Sequence, residues 1–138
     1  MITFCIIDGQ GGGIGATIIK KLREKFGESL DIIALGTNAI ATSQMLKAKA
    51  NRGASGENAI VRTVSQVDLI IGPVGIVIAN SMMGEMTPEM AKAVASSPAR
   101  KILLPLIQEN VEIVGTANIP LPHLIDELIE KHLHNISI

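Results

Sequence analysis

The sequence predicts an α/β fold: an open, mainly parallel sheet covered by helices on both faces. Three observations carry this. Short apolar runs alternate with amphipathic stretches along the 138 residues. The first run, Thr3 to Ile7, is apolar without alternation, as in a strand buried on both sides. No linker, repeat or low-complexity tract interrupts the alternation, and the length suits one domain.

The elements follow in order. After the strand Thr3 to Ile7 comes a glycine cluster, Gly9-Gln-Gly-Gly-Gly-Ile-Gly15. In the helix that follows, Ile14, Ile18, Leu22 and Phe26 recur every four residues, with Lys20, Lys21, Arg23, Glu24 and Lys25 toward the other side. Gly27 is its expected C-terminal cap. Asp31 to Leu35 reads as a second strand, broken by Gly36-Thr-Asn38, and Ala39 to Ala50 as a second helix. Asn51 to Asn58 reads as a loop. Ala59 to Val64 and Asp68 to Ile71 read as two strands joined by a short or missing crossover. Gly72-Pro-Val-Gly75 reads as a turn, and Ile76 to Met83 fits helix or strand equally. Thr87-Pro-Glu89 signals an N-cap and first turn, opening a helix to about Ser96. Lys101 to Leu106 and Val111 to Gly115 read as the last strands. Leu121 to His132 is a final amphipathic helix with Leu124, Ile125, Leu128, Ile129 and Leu133 on its apolar side.

Composition excludes several functions. Lys plus Arg is 12 and Asp plus Glu is 13, a net charge of -1, without the positive field that general nucleic-acid binding needs. There is no Trp or Tyr, and Phe4 and Phe26 are the only aromatic rings besides histidine. Base-stacking platforms and tyrosine chemistry are thereby ruled out. The most apolar stretch, Leu69 to Ala79, contains Gly72, Pro73 and Gly75 and is shorter than a membrane span of about 20 residues. With one cysteine, Cys5, and no signal peptide, a cytoplasmic location is expected.

The glycine cluster is the most informative segment. A strand that turns directly into a helix presents free N–H groups to an anion, and glycines let its oxygens approach the backbone. Gly11-x-Gly13-x-x-Ala16 matches the dinucleotide pattern G-x-G-x-x-G/A in the required strand–turn–helix context. The fold expected is therefore a three-layer, Rossmann-like, mostly parallel sheet of about five to six strands. The loop Gly9-x-x-x-Gly13-Ile14-Gly15 also resembles the glycine signature of short-chain dehydrogenases, with Asp8 where that family usually has Thr. The resemblance implies a phosphate site. It does not imply the family's chemistry, because its catalytic Tyr has no counterpart here.

The expected binding set is Asp8, Gly9, Gln10, Gly11, Gly12, Gly13, Ile14 and Gly15 from the loop, Thr37 and Asn38 after the second strand, and Gly72, Pro73, Gly75, Asn80 and Ser81 further on. A dinucleotide site usually has Asp or Glu at the end of the second strand to hold the ribose. Asp31 stands at its start instead. Thr37 and Asn38 can meet a ribose or a 2′-phosphate, with Lys47, Lys49 or Arg52 adding charge, or can simply cap the next helix. This tilts the expected cofactor from NAD toward NADP or another nucleotide. For Asp8, hydrogen bonds to the turn backbone are favoured over water-mediated Mg²⁺ binding, and no metal is expected. Cys5 reads as a small core residue, and His132 and His134 lie on different helix faces.

Met82, Met83, Met86 and Met90 suggest a subunit contact, most simply a two-fold homodimer through residues 74–90. Three functions compete: a nucleotide-binding sensor or regulatory module; a small NAD(P)-dependent oxidoreductase with its active site at a subunit interface, using Asp8, Asn80, Ser81, Glu85 and His123; and an interaction subunit whose glycine turn holds no ligand. Taken together, Ile7-Asp-Gly-Gln-Gly-Gly-Gly-Ile-Gly15, Ala34-Leu-Gly-Thr-Asn-Ala39, Gly56-Glu-Asn-Ala59, Gly72-Pro-Val-Gly75, Ala79-Asn-Ser-Met82, Gly84-Glu85, Thr87-Pro88 and Pro120-Leu-Pro-His-Leu-Ile-Asp126 resemble a family of short uncharacterised bacterial proteins that carries a domain-of-unknown-function label. That resemblance implies a Rossmann-like fold in a small cytoplasmic protein and no particular activity.

Overall fold

A computed structural model of the chain describes residues 1–106 and 110–136. The described residues form five strands: β1 (Thr3–Asp8), β2 (Asp31–Gly36), β3 (Arg52–Ser55), β4 (Leu69–Pro73) and β5 (Arg100–Leu104). They form one sheet in the order β3-β2-β1-β4-β5, with every pairing parallel. Parallel neighbours require crossovers, and four helices supply them: α1 (Gly13–Phe26), α2 (Ala39–Lys47), α3 (Glu57–Thr63) and α4 (Pro88–Ser96). A fifth, α5 (Leu121–Glu127), continues into a π-helical turn, Leu128–His132.

Alternation along β1 divides the core. Phe4 and Ile6 face α1 and α5, packing with Ile18, Ile19, Leu22, Leu124, Ile125 and Leu128. Cys5 and Ile7 face the other layer, with Ile60 and Val64 of α3 and Met90, Ala91 and Val94 of α4. Each large apolar side chain buried this way contributes about 1.5–3 kcal/mol. The result is a three-layer, Rossmann-like sandwich. The chain first winds outward from β1 through β2 to β3. It then returns across the sheet to β4 on the far side of β1. The loops after β1 and β4 diverge at that reversal, which opens a crevice at the carboxyl ends of the strands.

Three local expectations are corrected. Residues 52–55, read as loop, form β3; it is a fully exposed edge strand without a branched apolar residue, so it lacked a strand signal. Residues 59–64, read as a strand, lie in and just after α3. The topology needs a crossover there, and Ile60 and Val64, four apart, bury on one helical face. Val111 to Gly115 is not a strand; these residues are exposed and find no face to bury. β4 also runs two residues beyond Ile71, taking Gly72 and Pro73 into the sheet, and Val74–Val77 form a 3₁₀ turn. The caps at Gly27 and Thr87 stand as expected.

Gly72 sits where β1 and β4 lie side by side. A methyl group there would come within 2.5 Å of the Ile7 carbonyl oxygen and 3.0 Å of Ile76. The carbonyl belongs to the central strand and cannot retreat. Gly72→Ala should lower unfolding free energy by about 1–3 kcal/mol. Gly13→Ala, where a methyl meets nothing within 4 Å, should leave it unchanged or raise it by up to about 1 kcal/mol. Urea denaturation of the two variants checks this contrast.

Candidate functional site

The loop after β1 is built around Asp8. Its carboxylate is buried and accepts hydrogen bonds from the Gly9 amide at 2.8 Å and the Gly15 amide at 2.7 Å. It therefore fastens the strand end to the first turn of α1. Burial pushes its pKa up; the amides of Gly15, Gly9 and Ile14 pull it down, Glu85 pushes it up again, and the balance lies above the ordinary Asp value. Both oxygens face N–H donors, an arrangement that suits the turn-holding role and not a cation. Among the described residues, no group of three or more His, Cys, Asp or Glu is placed to hold a metal ion.

The five glycines of the loop separate into two groups. A methyl group at Gly9 would lie 2.5 Å from Met82 Sδ and 2.6 Å from Thr37 Oγ1. At Gly15 it would lie 2.5 Å from Met45 Sδ and 3.0 Å from Asp8 Cβ. Gly12 has a left-handed φ of 76°, and a methyl group there would lie 2.8 Å from the Ala41 backbone. Packing within the chain explains these three. Gly11 and Gly13 are different: a methyl on either meets nothing within 4 Å, and neither has a left-handed backbone. Both are exposed at the start of α1. The Gly12 amide bonds to Gly9 O and the Ala16 amide to Gly12 O. Among the described residues the Gly13 amide has no hydrogen-bond partner.

Beside this loop, at the end of β2, lies a carboxylate from far along the chain. Glu85 Oε1 accepts from the Gln10 amide at 2.8 Å, Thr37 Oγ1 at 2.6 Å and Asn38 Nδ2 at 2.8 Å. Asn38 performs two tasks. Its Oδ1 caps α2 by accepting from the Ala41 amide at 2.8 Å, while its Nδ2 also reaches Gln10 O at 3.0 Å. The capping reading of Asn38 is thus realised, and its amide nitrogen is bonded within the chain. Partial burial pushes Glu85 up, but the donors Thr37, Gln10 and Asn38 outweigh it, and its pKa lies below the ordinary glutamate value.

The segment presenting Glu85 is tightly wound. Asn80, Met82 and Met83 have left-handed φ of 66°, 58° and 56°, with Gly84 at 88°. Such a conformation costs about 1–2 kcal/mol per non-glycine residue. Hydrogen bonds hold it: Asn80 N to Met86 O at 2.7 Å, Met86 N to Ser81 O at 3.2 Å, and the buried Ser81 hydroxyl to Gly75 O at 2.5 Å. Ser81 is thus committed to the backbone. Gly72 and Gly75 are also accounted for by close packing, Gly75 against Ser81. Pro73 is buried at the end of β4, and Asn80 is exposed.

The structure brings Gly9, Gln10, Thr37, Asn38 and Glu85 into direct contact and fastens Asp8 to Gly15. Other residues lie elsewhere. Arg52 pairs with Asp31 at 2.8 Å at the opposite edge of the sheet. Lys47 ends α2, which runs back toward that edge, and Lys49 follows it. None of the three is positioned to add charge beside Thr37. His123 is exposed on the first turn of α5. Of the four methionines expected to form a subunit contact, Met86 and Met90 belong to the core and Met82 packs against it; only Met83, 95% exposed, projects outward. Cys5 is buried, which pushes its thiol up and leaves it unreactive.

Fold and site together define a small Rossmann-like α/β protein with a glycine-rich turn at the carboxyl edge of its sheet. The chain matches the family described as Domain of unknown function (DUF3842) over residues 3–137, and it belongs to that family. No curated protein matches it. Among the described residues, no helix is long and apolar enough to cross a membrane.

Glu85→Gln keeps an acceptor but removes the charge, and should lower stability at neutral pH by about 1 kcal/mol. The lowered pKa of Glu85 sets the sign of the pH effect. Its contribution is complete above the unfolded value of about 4.3 and disappears as pH falls through the lower folded value. The raised pKa of Asp8 works oppositely, favouring the fold on the acid side. The gap between wild type and Glu85→Gln should therefore close as pH falls from 7 toward about 3. Urea midpoints at the two ends test this; a gap independent of pH contradicts it.

Proposed function

We propose that the protein is a nucleotide-binding module, acting as a sensor or regulatory protein, that receives the phosphate of a nucleotide on residues 9–15. One observation carries the reading: Gly11 and Gly13 are glycines without a reason inside the chain. Glycine at the start of a helix forgoes up to about 1 kcal/mol relative to alanine. An external group that approaches the backbone there would account for it. The unpartnered Gly13 amide points the same way, as does the position at the reversal of strand order. The candidate catalytic groups support binding over chemistry, because Asp8 and Ser81 are buried and bonded to the backbone.

A specific observation favours a second reading, an interaction subunit whose turn holds no ligand. Asp8 and Glu85 already occupy the amides of Gly9, Gln10 and Gly15. In that reading the loop is complete as it stands.

A thermal-shift series with NAD, NADP, ADP-ribose, AMP and ATP separates them. A ligand at 100 times its Kd stabilises by about 2.7 kcal/mol, which raises Tm by roughly 5–10 °C. At least one nucleotide should do so, and Gly13→Val should abolish the shift while melting as a folded protein. If no phosphorylated ligand moves Tm, the second reading stands and the first is wrong.

A further inference from the structure

The charge pattern at the carboxyl edge narrows the ligand beyond the nucleotide reading, on which the following rests. Of the 12 Lys and Arg residues, none lies in residues 9–12, 37–38 or 74–87, the loops that build this edge. Glu85 is the only charged side chain within those loops. Within these loops a phosphate would meet backbone amides and no cation. Amides alone suit the two singly charged phosphates of a pyrophosphate diester. They suit a terminal phosphate or a triphosphate poorly, because its additional charge has nothing to balance it.

Glu85 occupies the position where a dinucleotide site holds the ribose. In this topology a carboxylate at the end of β2 accepts from the sugar hydroxyls. The chain has Gly36-Thr37-Asn38 there, with no acid among them. Glu85 reaches the same place from beyond β4, bonded to Thr37, to Asn38 and to the Gln10 amide that begins the glycine turn. Those three bonds all fall on Oε1. Among the described residues, Oε2 has no hydrogen-bond partner, so one face of a positioned carboxylate is left for a ligand. We infer that Glu85 is the ribose-recognising carboxylate of this site, and that its ligand is a pyrophosphate-linked nucleotide with an unmodified 2′,3′-diol, of the NAD or ADP-ribose type.

This reverses the tilt toward NADP. The cations that would receive a 2′-phosphate, Lys47, Lys49 and Arg52, are at the far edge, and a carboxylate stands where that phosphate would go. The hydrogen bonds that lower the pKa of Glu85 keep it charged at neutral pH, so a 2′-phosphate meets a fixed negative charge. Sequence spacing cannot reveal such a residue, because it lies 47 positions beyond Asn38.

Calorimetric titration of the full chain with ADP-ribose, NAD and NADP tests the assignment. NAD and ADP-ribose should bind about tenfold or more tightly than NADP. Glu85→Gln should weaken ADP-ribose about tenfold and bring NAD and NADP to similar affinity. Equal or tighter binding of NADP by the wild type overturns the ribose assignment and leaves the nucleotide reading intact. An unchanged NAD to NADP ratio in a folded Glu85→Gln protein overturns it equally. If that variant does not fold, wild-type affinity for 2′-deoxy ADP-ribose decides. A loss of about tenfold supports the hydroxyl contact, and equal binding rejects it. Binding of none of these ligands removes both readings.

Discussion

One oxygen of the Glu85 carboxylate accepts hydrogen bonds from three groups on two distant stretches of the chain: the Gln10 amide, and the Thr37 hydroxyl with the neighbouring Asn38 side-chain amide. The parallel sheet makes this possible. Because every strand pairing is parallel, each strand ends at the same edge, so the loops after β1, β2 and β4 converge there. The left-handed turn at residues 80–84 then aims Glu85 across the top of β1. Gly9 must be a glycine because Met82, Thr37 and Glu85 crowd over it. The shape of the crevice thus follows from one carboxylate with three donors and a wound loop that keeps it in place.

Asp8 plays the complementary part from below. It draws the Gly9 and Gly15 amides inward, so the amides without a partner among the described residues are those at the outer rim of the turn, where Gly11 and Gly13 sit. This differs from a loop whose whole helix terminus is open. Two carboxylates near one turn also couple to each other. Glu85 raises Asp8, and an arriving phosphate would raise it further. A ligand with modest charge and hydrogen-bonding hydroxyls suits such a site better than a heavily charged one.

Much of the fold was legible because its strongest patterns are long or one-sided. The buried run of β1, the four-residue period from Ile14 to Phe26 and the apolar side of residues 121–132 each bury what they display. Structure and sequence pattern part company where the pattern is short or unsupported. Ala59 to Val64 looks like a strand by composition, yet the need to join β3 to β4 in parallel makes a helix of Glu57–Thr63. Arg52–Ser55 pairs only on one side and carries no apolar signal. In the site, the glycine turn and Asn38 were visible as local motifs. The meeting of Glu85 with Thr37 and Asn38 was not, since it depends on sheet order and on three left-handed residues that no local pattern announces. Two of the four clustered methionines, Met86 and Met90, are core, because the chain winds inward there.

In the proposed function a nucleotide's phosphate lies on the outer rim of the glycine turn. Glycine amides occupy a sparse region of the ¹⁵N–¹H spectrum, so titrating ¹⁵N-labelled protein with ADP-ribose reads this directly. The largest shifts should belong to the amides of Gly11 and Gly13, with smaller ones at Gln10 and Asn38, while Gly27 and Gly115 stay fixed. No shift at Gly11 and Gly13, or shifts concentrated on another part of the protein, would contradict the account.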